Sequence, residues 1–68
     1  MSLLVQNIKT GLEYNGNELE YIIDESIDLG EVYLDENLIY QSDDMFTESQ
    51  LEQDFKIHFY IKDTEEDA

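Results

Sequence analysis

The sequence predicts an α+β domain: a small antiparallel β-sheet with one short helix. Three observations carry that expectation. Apolar residues form 41% of the chain, with seven isoleucines, five tyrosines and three phenylalanines, a content that disordered acidic segments lack. Asn15-Gly16 separates two alternating runs, and such a pair is the strongest short hairpin signal because both positions tolerate positive φ. Phe55, Ile57, Phe59 and Ile61 alternate with Lys56, His58, Tyr60 and Lys62, which is the period of a half-buried strand. At 68 residues the chain is one domain, with residues 1–62 folded and 63–68 an acidic tail, frayed in the manner of most termini.

Leu3 to Ile8 reads as the first strand, ended by Thr10-Gly11. Leu12-Glu13-Tyr14 leads into Asn15-Gly16, and Glu18 to Asp24 returns, with Leu19, Tyr21 and Ile23 on one face and Glu18, Glu20 and Asp24 on the other. A helix competes for the same segment: Asn17 and Glu20 resemble a capping pair, Leu19, Ile22, Ile23 and Ile27 have helical spacing, and Gly30 suits its end. Tyr21-Ile22-Ile23 favours the strand.

Glu31 to Leu34 and Leu38 to Gln41 flank Asp35-Glu36-Asn37 as a second hairpin. Asp43 or Asp44 is placed to cap a helical turn running through Gln53, with Thr47 and Gln50 as a capping box and Phe46, Leu51 and Phe55 as its apolar side. The segment from Phe55 to Lys62 is then a strand whose inward row, Phe55, Ile57, Phe59 and Ile61, forms the largest part of the core. Its outer face holds His58 and two lysines, offset by cross-strand carboxylates.

Charge separates the function classes. Eighteen Asp and Glu face Lys9, Lys56 and Lys62 with no arginine, a net charge of −15, whereas small domains ordinarily carry about 2 to 8. Such a field repels DNA, RNA and anionic lipid, so direct nucleic-acid or membrane binding is not expected. No run approaches the roughly 20 apolar residues of a membrane span, and Met1 to Ile8 lacks the features of a secretory signal. The cytoplasm is the expected compartment. Cysteine is absent, which removes thiol chemistry and disulfide staples.

Catalysis finds little support. His58 is the single histidine, flanked by lysines on an outer face, and carboxylate pairs arise by chance among eighteen acids. No enzyme activity and no cofactor are expected. Asp24-Glu25-Ser26-Ile27-Asp28-Leu29-Gly30 echoes a calcium loop, but Leu29 stands where the loop needs glycine and Asp35 where it needs glutamate. No metal is expected.

From Leu12 through Phe55 there is no basic residue against fourteen acids. On a strand, acids at i and i+2 lie about 6.6 Å apart on one face, the scale of successive phosphates on a nucleic-acid strand, and DNA-binding proteins meet phosphates with arrays of Lys and Arg. The candidate partner-binding residues are Glu18, Glu20, Asp24, Glu25, Asp28, Glu31, Asp35, Glu36, Asp43 and Asp44.

In size, charge, lack of cysteine and mixed β character, the chain resembles the small acidic DNA-mimic proteins that bacteriophages make to disable host DNA-binding proteins. The resemblance covers the chain by overall character and rests on no motif. It implies a basic nucleic-acid-binding partner, of which the nucleoid protein HU, with its basic two-fold cleft, is the leading example, and a host-cell cytoplasmic location. A generic acidic interaction module, such as an antitoxin or assembly factor, is the alternative, and adaptation to strong salt a third reading. A homodimer is expected, because an unstapled core this small gains by pairing and tyrosines suit half-wet surfaces. Its contact should use the least acidic surface, either Leu3 to Ile8 or the face bearing Lys56 and Lys62.

Overall fold

The computed structural model describes residues 2–63; the proposed frayed tail lies almost wholly outside them. The fold is α+β. Its strands are β1 (Leu3–Asn7), β2 (Glu13–Gly16), β3 (Leu19–Asp24), β4 (Leu29–Leu34), β5 (Asn37–Asp43) and β6 (Phe59–Asp63), with α1 (Glu48–His58) between β5 and β6. The strands form two three-stranded antiparallel sheets, ordered β2–β1–β6 and β3–β4–β5. No helix among the described residues is long and apolar enough to cross a membrane.

The first hairpin is not where Asn15-Gly16 pointed. β2 pairs with β1, Tyr14 opposite Val5 and Gly16 opposite Leu3, so Asn15 and Gly16 lie within a strand. The turn forms at residues 8–11 because the Asn7 carboxamide accepts the Lys9 and Thr10 N–H groups at 2.9 and 3.0 Å. Gly11 supplies the positive φ, +79°, which glycine adopts without steric cost. Gly16 serves a different need: a Cβ there would stand 2.7 Å from Leu34 Cγ, so the glycine lets β2 approach β4 as the chain crosses between sheets.

Residues 19–24 are strand, not helix. Leu19, Tyr21 and Ile23 face inward as the alternation requires, while Glu20, Ile22 and Asp24 face out. Gly30, rather than ending a helix, is buried in β4. The β3–β4 turn is fixed by Asp24, whose carboxylate accepts from Ser26 N and Oγ at 3.1 and 2.6 Å. The β4–β5 hairpin is tighter than expected by one residue. Leu34 pairs with Asn37, leaving Asp35 and Glu36 as a two-residue turn with φ of 51° and 73°, the backbone pattern of a type I′ turn.

The helix starts at the Thr47 cap, whose hydroxyl accepts the Gln50 N–H at 3.1 Å. Gln50 Oε1 in turn accepts the Phe46 N–H at 2.8 Å. Asp43 ends β5 instead of capping, and Asp44 sits at φ 61°. The helix does not stop at Gln53. It runs to His58, which overturns the strand expected from Phe55. Leu51 and Phe55 stand four residues apart, on one helical face, and both are fully buried. Glu52 and Lys56 pair at 3.0 Å with the same spacing, so Lys56 offsets a carboxylate of its own helix rather than one across a strand. Ile57 is 70% exposed, not part of an inward row. Phe59 then switches to extended backbone while its N–H still donates to Phe55 O, and α1 passes into β6 without a loop.

The core consists of Val5, Val32, Leu34, Leu51, Phe55 and Phe59. Leu3, Tyr14, Tyr21, Ile23, Tyr40 and Ile61 pack around it. Since α1 lies against β3, β4 and β6, it joins the two sheets, and the outer face of β3–β4–β5 is left to solvent.

Candidate interaction surface

All ten sequence-predicted acids fall on the β3–β4–β5 sheet and its margins. Alternation along the strands turns Glu20 and Asp24 of β3, Glu31 of β4 and Asp43 of β5 outward, opposite the side chains that meet α1. Glu25 and Asp28 lie in the β3–β4 turn and Asp35 and Glu36 in the β4–β5 turn, while Glu18 precedes β3 and Asp44 follows β5. Asp28 and Glu31 are half-buried and the other eight exposed.

The register sorts them into two groups. Asp24 and Asp43 flank Leu29, gathering with Glu25, Asp28 and Asp44 at one end. Leu34 pairs with both Leu19 and Asn37, which brings Glu18, Glu20, Asp35 and Glu36 to the other. The ends are separated by the length of β4, roughly 17 Å at about 3.4 Å per residue, with Glu31 between them. Glu18, Glu20, Asp35 and Glu36 line an open cleft of about 340 Å³.

Two of these carboxylates also build the backbone beneath them. Asp35 accepts the N–H groups of Asn17, at 3.0 and 3.1 Å, and Glu18, at 3.0 Å, tying the β4–β5 turn to the start of β3. Asp24 holds the other turn. Glu31 accepts the Tyr33 hydroxyl at 3.1 Å; that bond, then burial and the charges of Glu31 and Glu20, raise the Tyr33 pKa above its ordinary value. Residues 18–44 contain no Lys, Arg or His. The lysines lie elsewhere, Lys9 in the β1–β2 turn, Lys56 on α1 and Lys62 on β6.

The outward face is not wholly acidic, which the reading of charge alone missed. Across the strands its rows are Glu20–Tyr33–Leu38, Ile22–Glu31–Gln41 and Asp24–Leu29–Asp43. Ile22 is 39% and Leu38 47% exposed. The period of β3 carried the signal, because Ile22 shares the parity of Glu20 and Asp24.

His58 lies at the end of α1, not on a strand between lysines. Its Nδ1 is 2.9 Å from Asp54 O, and since a carbonyl can only accept, Nδ1 carries the proton. The Tyr40 hydroxyl donates to Asp54 Oδ2 at 2.5 Å, so this group fastens α1 to β5. Among the described residues no three His, Cys, Asp or Glu side chains are placed to hold a metal ion, and the would-be calcium loop is a β-hairpin. No protein-family model matches the chain, nor does any curated protein or solved structure.

Proposed function

We propose that this protein is a DNA-mimic inhibitor that uses the outer face and turns of the β3–β4–β5 sheet to occupy the nucleic-acid site of a basic protein such as HU, in the cytoplasm and without catalysis. One observation carries the reading: ten acids, with no cation among residues 18–44, are carried by a single hydrogen-bonded sheet, its turns and its margins. Strands and short turns, of four residues between β3 and β4 and two between β4 and β5, fix the spacing of those charges, so the array is presented without the ordering cost of a flexible acidic tail. Lys and Arg arrays that bind DNA find carboxylates in place of phosphates, and DNA itself is repelled.

Ile22 and Leu38 favour a second reading, a more general acidic interaction module, because protein interfaces desolvate an apolar centre inside a polar rim. Competition separates the two. Purified HU and other basic DNA-binding proteins, each loaded with labelled duplex DNA, are titrated with the chain. DNA release is expected from at least one of them, weakening steeply as salt shortens the screening length toward about 8 Å. A ternary complex with DNA, or release from none of the panel, overturns the mimic reading.

A further inference from the structure

The end of the molecule formed by the β1–β2 turn and the last turn of α1 carries a second feature, unlike the acidic sheet in every respect. A groove of about 210 Å³ opens there, lined chiefly by Ile8, Lys9, Tyr40, Ile57, His58 and Phe59. Tyr40 reaches it from the inner face of β5, opposite the acid rows. The Ile8 N–H donates to His58 O at 3.0 Å, which holds the turn against the helix end and gives the groove a fixed rim.

We propose that two copies of this chain pair through this groove. Exposed apolar surface is the first argument. Ile57, 70% exposed, and Ile8, 61% exposed, line the hollow and leave its apolar wall open to solvent. A two-fold contact sets the same patch of one copy against that of the other, so a single contact covers both apolar walls.

Charge is the second argument. Copies that each carry −15 repel, and they meet at least cost where the negative charge is lowest. Among the described residues no acid lines this groove, whereas Lys9 does. The carboxylate of Asp54, which meets the groove-lining Tyr40, accepts its hydroxyl, and Glu52 is paired with Lys56. A basic partner is drawn instead to the cation-free sheet. The need for burial points the same way, since only six side chains form the core among the described residues and chains of this size without staples gain from association. Pairing here is independent of what the acidic sheet binds, and it leaves both acidic faces open.

Sedimentation equilibrium in moderate salt tests the pairing. The chain is expected at about twice 8.0 kDa, Ile57→Asp at the single mass, and Leu38→Asp, on the acidic sheet, still paired. Circular dichroism of Ile57→Asp is expected to match the parent, since the side chain is exposed. Should that variant unfold, Lys9→Glu decides, as it places a repulsive charge in the same groove without touching the core. A parent chain at 8.0 kDa at its highest soluble concentration overturns the proposal. So does dissociation by Leu38→Asp with Ile57→Asp or Lys9→Glu still paired.

Discussion

Phe55, on the last full turn of α1, and Phe59, the first residue of β6, stack ring on ring, with centroids 4.4 Å apart and planes 15° apart. Tyr40 meets both edge-on, at 5.6 and 5.5 Å. The helix-to-strand junction is thus the centre of the aromatic core. Phe59→Ala is expected to cost about 3 to 5 kcal/mol, which approaches the whole stability of a small domain. Ile57→Ala should stay within about 0.5 kcal/mol, as exposed substitutions do. Urea denaturation at a dilution where pairing does not contribute compares them. Equal losses would mean that residues 55–61 form a strand with all four apolar side chains inward.

That junction also explains what the sequence concealed. Phe55, Ile57, Phe59 and Ile61 satisfy a period of two, but Leu51, Phe55 and Phe59 satisfy a spacing of four equally well. The helix takes the first half because its cap and its Glu52–Lys56 pair act locally, while β6 needs β1 from the far end of the chain. Asn15-Gly16 misled for a related reason, since a glycine required for close approach to Leu34 looks in sequence like one required for a turn. The faces of β3, the β4–β5 hairpin and the Thr47 cap were legible because each is decided within a few residues. The acids were legible as a cation-free window, but their division between two ends of one sheet was not, because it depends on register between strands.

The Asp35-Glu36 turn stores strain that a single substitution relieves. Both residues sit at positive φ, where an L side chain costs roughly 1 to 2 kcal/mol. Glu36→Gly is expected to raise stability by about 1 kcal/mol, after allowing for the extra freedom glycine gives the unfolded chain. For a domain of this size that is a rise in Tm of about 4 to 8 °C. Glu36→Gln, which removes the charge and keeps the side chain, separates backbone strain from repulsion. A gain of equal size from Gln would assign the effect to charge.

The acidic cleft should oppose stability and serve binding. Glu18 and Glu20 line it, and both side chains are exposed. The double variant Glu18→Gln, Glu20→Gln is expected to melt higher than the parent at low salt, where the screening length is about 30 Å at 0.01 M, and to lose that advantage near 1 M, where it is about 3 Å. The same variant should release DNA from the partner less effectively. A variant that melts higher and competes undiminished would move the binding surface away from this end of the sheet.

Tyr40 sets the response to alkali. Burial first, then the hydrogen bond to Asp54 and the Asp54 charge, raise its pKa above the ordinary 10.0, with a hydrogen bond to Ser42 acting the other way. Tyr21 is raised by burial and by Glu52, and Tyr33 chiefly by its bond to Glu31. A raised pKa means that the folded state favours the neutral phenol. The corresponding stability is complete below the unfolded value of 10.0 and is lost as pH climbs through the folded value. The fold should therefore weaken in alkali above pH 10, as tyrosinate absorbance develops. Tyr40→Phe removes the bond to Asp54, at a cost of about 1 kcal/mol near neutral pH, and should make the alkaline decline shallower without abolishing it, because Tyr21 and Tyr33 still titrate. Urea midpoints followed across that range decide the matter. If Tyr40→Phe declines as steeply as the parent, the Tyr40 hydroxyl does not couple α1 to β5, and the alkaline response belongs to Tyr21 and Tyr33.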